Sequence, residues 1–166
     1  TADLRTHNSD FQVKEILPFS PTGEGEHHLL HIRKEGLNTV EVAKMLSSFA
    51  HVHPKEVTYA GQKDKHAVTE QWFGVLIPGK ETPDWQQLNS DKITVLSASR
   101  HAKKLRIGAL AGNRFTLTLR NVSDMSDVIK RIELVTEQGV PNYFGEQRFG
   151  HDGKNLIFGR QMFTGR

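Results

Sequence analysis

The chain has 166 residues, 25% of them charged and 36% hydrophobic, a composition that predicts one soluble globular domain with a sizeable core. Its longest apolar run, around Trp72 to Ile77, is far too short to span a bilayer, and its first residues carry no signal-peptide core. Zero cysteines exclude disulfides, thiolate nucleophiles and thiolate metal sites, while a net charge of +3 and a pI near 9.2 admit nucleic acid as a partner without deciding it.

Thr1 is not an initiator Met, so a trimmed start is expected. Asp10 to Ile16 alternates until its last step and predicts a strand with Phe11 and Val13 on one face. Pro18, Pro21, Gly23 and Gly25 predict a loop, followed by a strand from His27 to Lys34 with Leu30 and Ile32 inward, ended by Gly36. Asn38 or Thr39 then caps a helix, Glu41 completes a capping-box pattern, and Val42, Met45, Leu46 and Phe49 form a helical core stripe. Val57 to Tyr59 is a short strand leading to a glycine turn, and Val68 to Ile77 is a core strand. Pro83 to Leu88 predicts a short helix with Pro at its start, and Ile93 to Leu96 begins another strand. Gly108 to Gly112 is loop, and Arg114 to Arg120 alternates with Phe115, Leu117 and Leu119 on one face. Ser123 opens a helix whose Val128, Ile129, Ile132 and Val135 read as core, with Gly139 at its end. No regular element is predicted over His151 to Arg166. Strands outnumber helices, which predicts an α+β fold: a mixed, mainly antiparallel sheet with flanking helices.

Two chemical patterns are decoys. Gly74 to Lys80 matches the start of a phosphate-binding P-loop, but Glu81 stands where the magnesium-binding hydroxyl belongs, and the stretch is an apolar strand with a proline. His27, His28 and His31, like His51 and His53, have no carboxylate at a ligand spacing, so no metal site is expected. Asp64 is more suggestive. It lies between Lys63 and Lys65, after Gly61 and before the core strand, and neighbouring cations favour the charged form of a carboxylate. A solvated charged turn is the commoner meaning of such a triplet. Arg100, His101, Lys103, Lys104 and Arg106 read equally as an exposed edge or as phosphate contacts, and Phe11 and Phe115 as packing or as stacking platforms.

The stretch Gly61-x-Lys63-Asp64-x-x-Ala67-Val68-Thr69-x-Gln71 resembles the signature of the TruD family of tRNA pseudouridine synthases. Three further blocks agree in order. The first runs Asp10-Phe11-x-Val13-x-Glu15-Ile16, then Gly23-x-Gly25-Glu26-His27 and Gly36-Leu37-Asn38-Thr39. The second is Leu105-Arg106-x-Gly108-x-Leu110-x-Gly112-Asn113-x-Phe115, and the third is Pro141-Asn142-Tyr143-Phe144-Gly145-x-Gln147-Arg148-Phe149-Gly150, then Gly153-x-Asn155.

The resemblance implies the N-terminal part of a longer enzyme: residues 1–150 within an incomplete pseudouridine-synthase catalytic domain, and residues 151–166 as an irregular tail toward an inserted domain. It implies isomerisation of uridine to pseudouridine in tRNA, at uridine 13, with no cofactor, metal or energy source. Asp64 matches the catalytic aspartate, and Lys63 or Arg106 would hold it charged. Phe11 and Asn113 would contact the nucleoside, and Phe115 would back or stack on the uracil. Arg100, Lys103, Lys104 and Arg106, with Arg148, would meet RNA phosphates. The implied partner is tRNA, in the cytoplasm, with no membrane and no obligate protein partner. The competing readings are an RNA-binding module of the same fold without turnover, or an inactive fragment.

Overall fold

Alternating β-branched and aromatic residues build the scaffold as a sheet. The computed structural model describes residues 1–79 and 81–165, so Lys80, the end of the P-loop-like stretch, and Arg166 lie outside the described residues. The chain divides into two compact units, residues 1–123 and 124–166, a break that falls inside the span 1–150 expected as one domain.

The first unit contains β1 (Asp3–Leu4), β2 (Phe11–Ile16), β3 (His27–Glu35), α1 (Thr39–Phe49), β4 (Val57–Tyr59), β5 (Val68–Leu76), β6 (Ile93–His101), β7 (Gly112–Leu117) and β8 (Leu119–Arg120). The sheet order is β6-β3-β5-β2-β7, with β4 beside β5, while β1 and β8 form a separate ribbon. The β2–β5 pair is parallel and the rest of the sheet is antiparallel, so the α+β architecture with a mixed, mainly antiparallel sheet is the one observed.

β2 and β4 share one edge of β5. β2 pairs with Val68 to Glu70 and β4 with Phe73 to Val75. Between these stretches the Trp72 N–H donates instead to the Glu15 carboxylate at 2.7 Å. A side chain thus completes the ladder where two strands exchange places, as a buried N–H requires.

α1 covers one sheet face. Its Asn38 cap accepts from the Glu41 N–H at 2.8 Å and Glu41 accepts from the Asn38 N–H at 2.7 Å, a capping box of the kind that stabilises a helix by about 1 kcal/mol. Val42, Leu46 and Ala50 pack onto Leu30, Ile32, Phe73, Val75, Ile93, Val95 and Trp85. Met45, expected in that stripe, is exposed, because it lies roughly 100° around the helix from its buried centre. On the opposite face Leu29, Ala60 and Leu105 cluster with Leu17, Phe19 and Trp72. β3 is therefore buried on both sides, which its near-continuous apolar run already suggests.

Several expectations are corrected. The helix expected over Pro83 to Leu88 is a 3-10 turn, Trp85–Leu88, capped by Asp84. The alternation from Arg114 to Arg120 breaks at Thr118, whose N–H donates to the Asp10 carbonyl, and Leu119 then pairs with β1. Phe115, Leu117 and Leu119 are exposed.

The second unit holds α2 (Met125–Gln138), capped by Asp124 and ended by Gly139 at φ +70°, and α3 (Lys154–Thr164). Ile129, Ile132 and Val135, expected as core, stand exposed, since so small a helical unit cannot bury a full stripe. α3 replaces the irregular tail. Gly153 and Gly165 flank it at φ +70° and +66°, so the glycines that obscured the helix mostly mark its ends.

Candidate active site

The turn joining β4 to β5 is tied at successive points to buried polar groups from four different elements. Gly61 O accepts from Gln71 Nε2 at 2.6 Å. Lys63 N–H donates to Thr39 Oγ1 at 2.9 Å, and that hydroxyl donates to Gln71 Oε1 at 3.0 Å. Lys63 Nζ lies 2.7 Å from Glu15 Oε1, with the Glu15 side chain fully buried. Asp64 O accepts from Lys34 Nζ at 3.0 Å. Glu15 comes from β2, Lys34 from β3, Thr39 from α1 and Gln71 from β5. A buried polar group must be satisfied, so the bonds to Gly61 O, Lys63 N–H and Asp64 O fix main chain that would otherwise be free.

The Asp64 carboxylate leaves this frame and reaches solvent, 47% exposed. Its ionic partner is Arg5, with Nη2 to Oδ2 at 3.3 Å. Neither Lys63 nor Arg106, the expected cations, takes that place: the Lys63 ammonium is drawn to the buried Glu15 charge, and Arg106 belongs to the segment after β6. The Arg5 guanidinium carbon sits 3.7 Å from the centre of the Phe11 ring, a cation–π contact, and Arg5 itself takes a left-handed φ of +60°. Phe11 meets Phe115 edge to face at 6.1 Å. β2 and β7 pair Glu15 with Asn113, Val13 with Phe115 and Phe11 with Leu117, which puts Phe11, Phe115 and Asn113 on one face of the sheet. Phe115 is 58% exposed there.

The structure thus brings together Asp64, Phe11 and Phe115, with Asn113 on the same face, and adds Arg5 and Lys34. Arg5 escaped sequence reasoning because it is an isolated cation before the first block. Lys34 escaped because a lysine at a strand end carries no local sign of burial, even on the face of Leu30 and Ile32. Glu15, Thr39 and Gln71 lie within the quoted blocks, and they serve as scaffold for the turn.

The basic residues lie elsewhere. Lys103, Lys104 and Arg106 line a cleft of about 790 Å³ with Phe19, His27 and His101. His101 pairs with His27, and His27 pairs with Leu76 at the far end of β5 from the Asp64 turn. That end is about 26 Å from Val68 along the strand, whereas Arg106 lies nearer the turn, since the Gly108 N–H donates to Ala60 O at 2.7 Å. His27 also faces the side of the sheet opposite Lys34. Arg100 is occupied structurally, donating to Thr82 Oγ1 at 3.0 and 3.2 Å and to Gly25 O at 3.1 Å. Arg148 belongs to the second unit, where its carbonyl accepts from Asn155 Nδ2 at 3.2 Å.

The histidines act as packing groups. His28 Nδ1 accepts from Trp85 Nε1 at 3.3 Å, and His31 stacks on Trp72 at 4.6 Å. Burial pushes the imidazole pKa of both below the usual range. Among the described residues no group of three His, Asp or Glu converges as metal ligands would. What the open face offers is a fixed carboxylate beside a cation and two aromatic rings, suited to a flat, polar ligand.

Known proteins resemble this chain along its length. The family model described as tRNA pseudouridine synthase D (TruD) matches residues 1–166. The chain is 77% identical over its whole length to tRNA pseudouridine synthase D of Shewanella oneidensis, covering 45% of that protein. It also resembles the crystal structure described as tRNA pseudouridine synthase D (TruD) from Methanosarcina mazei, with a TM-score of 0.76 and 30% identity, over 90% of this chain and 35% of that one. The chain thus spans less than half the length of these relatives.

Proposed function

Because the chain belongs to the tRNA pseudouridine synthase D (TruD) family, we propose that it forms the Asp64-bearing part of an enzyme converting uridine to pseudouridine in tRNA, at uridine 13. The observation that carries this reading is the Asp64 carboxylate, held by a buried frame yet open beside Arg5, Phe11 and Phe115.

The reaction breaks the C1′–N1 bond of a uridine, turns the uracil and joins C5 to C1′; C5 loses a proton and N1 ends protonated. Substrate and product have the same composition, so the chemistry needs no redox partner or energy source. Cleavage builds positive character at the sugar, which an adjacent carboxylate stabilises, as in glycoside hydrolysis. The uridine must leave its stack to reach Asp64, and aromatic faces offset part of that cost. Phe115 presents its ring for this contact, Phe11 supports Phe115 and Arg5, and Asn113 supplies hydrogen bonds to the nucleoside. Arg5 orients the Asp64 carboxylate. Lys63 acts through Glu15 and the turn, without touching the nucleoside. In this reading residues 1–150 contribute to the catalytic domain.

Lys103, Lys104 and Arg106 meet RNA phosphates along the segment that follows β6, and Arg148 is a further candidate on the second unit. RNA of this kind is recognised mostly through shape and backbone. Among the described residues no helix is long and apolar enough to cross a membrane, and a tRNA substrate makes the cytoplasm the proposed location.

The test uses the full-length protein with tRNA and carbodiimide adduct mapping, which detects an isomerisation that leaves mass unchanged. Pseudouridine forms with the parent and is lost with Asp64→Asn, while tRNA affinity is largely kept. Equal turnover by the Asn variant overturns the assignment. Residues 1–166 alone are expected to show little or no turnover, and robust activity would refute that.

A further inference from the structure

We propose that Lys34 is a positioning residue for Asp64, its buried ammonium gripping the Asp64 main chain so that the carboxylate is presented in one place. The inference rests on the catalytic reading of Asp64. Lys34 is 1% exposed, and a lysine is rarely so deep unless a carboxylate pairs with it. Here Nζ is directed instead at two main-chain carbonyls, Leu37 O at 2.7 Å and Asp64 O at 3.0 Å.

Lys34 lies near the end of β3, opposite Thr69 of β5 and Ile93 of β6, directly under the turn. The Leu37 bond secures the ammonium to the β3–α1 connection, so the grip on Asp64 is anchored at its other side. The remaining ties hold Gly61 and Lys63; the Lys34 bond holds the residue that carries the carboxylate. A methionine of similar length would fill the space without burying a charge. What the ammonium adds is a charge-assisted hydrogen bond, stronger than a neutral one, and positive charge close behind Asp64.

Burial pulls the Lys34 pKa down to about 8, opposed by Asp64 and, more weakly, by Glu41 of α1 and Glu15 of β2, with Lys63 adding to the lowering. The grip is therefore lost within a readily tested pH range.

The experiment compares full-length parent and Lys34→Met. The expected result is a kcat at least tenfold lower in the variant, with KM and tRNA Kd within about twofold. The parent kcat falls above about pH 8, and the variant lacks that limb. Hydrogen exchange gives a readout independent of turnover: amides of residues 63–65 exchange about tenfold faster in the variant while those of α1 and β5 hold. If Lys34→Met does not fold, Lys34→Gln is measured in the same way. An unchanged exchange rate in the turn, a kcat within twofold of the parent, or a loss confined to KM overturns the proposal. A parent without turnover overturns the functional reading instead, and the exchange measurement still decides whether Lys34 positions the turn.

Discussion

Lys63 Nζ lies 2.7 Å from Glu15 Oε1, while the carboxylate of its sequence neighbour, Asp64, pairs with Arg5 at 3.3 Å. Two adjacent residues thus belong to two unlike ion pairs, one buried and structural, the other exposed and available to a ligand.

That difference separates the effects of removing each cation. Lys63→Met strands the buried Glu15 charge and is expected to destabilise the fold by roughly 3–5 kcal/mol. Arg5→Met removes an exposed pair, which is expected to change stability by about 0–1 kcal/mol yet lower turnover of the full-length protein. Denaturant titration and the carbodiimide assay, run on both variants, check the contrast; equal stability losses contradict it.

Thr39 and Gln71 form a short relay between α1, β5 and the turn. Thr39→Val and Gln71→Leu each leave a buried partner unsatisfied, at about 1–3 kcal/mol apiece. The double variant should lose less than the sum, since the second change removes a group the first has stranded. Additive losses in a double-mutant cycle would show that the relay is not a unit.

Gly25 has φ +106°, and a Cβ there would collide with the main-chain carbonyl of His101. Gly23, at φ +83°, has open space around it. Gly25→Ala is therefore expected to cost clearly more than Gly23→Ala, for which backbone strain alone is about 1 kcal/mol. Thermal unfolding of the pair distinguishes collision from strain; equal shifts mean that the β6 end yields.

Stability should respond to pH at both extremes. The Arg120 guanidinium fork on Asp10, at 2.7 and 2.8 Å, holds that carboxyl down to about 2, aided by the His7 N–H. The folded value is depressed, so this stabilisation is complete above the ordinary value of 3.8 and is lost as pH falls toward 2. Arg120→Met should raise the pH of acid unfolding. Lys34 has the opposite charge type: its folded value of about 8 lies below the ordinary 10.5, so the unfolded chain binds more protons between them. Stability gains a contribution as pH rises from 8 toward 10.5, and Lys34→Met should abolish it. Isothermal denaturation across both ranges tests each sign.

The remote basic cleft predicts a salt signature. Lys103→Ala with Lys104→Ala should weaken tRNA binding and reduce the slope of log affinity against log salt by about 1–2. With Lys103 and Lys104 beside His101 and His27, at the end of the sheet away from Val68, kcat at saturating tRNA should stay near the parent value. An unchanged slope would return these lysines to an ordinary solvated edge.

The strands and α1 were legible because they depend on local periodicity and on short signals such as the Asn38–Glu41 box. The motif marks the Asp64 turn, and the ordered blocks name Phe11, Asn113 and Phe115, which share one face of the sheet. The ionic partners were not legible. Arg5 meets Asp64 only because β2 runs parallel to β5, and Glu15 takes Lys63 because two strands exchange places at Trp72. Neither relation has a local signature. The exposed stripe of α2 shows the opposite failure, a strong local pattern that 43 residues of unit cannot bury.

The β2–β5 and β2–β7 pairings also have a consequence for synthesis. Phe11 meets Phe115 only after roughly 100 further residues have been made, which at about 5–20 residues per second takes on the order of 5–20 s. During that interval β1 lacks β8 and β2 lacks β7, while α1, the β4–β5 hairpin and the β2–β5 pair can form from sequence already made. The face that carries Phe11 and Phe115 thus depends on pairings of high contact order. Phe115 reaches its place beside Phe11 only once β7 has followed β6.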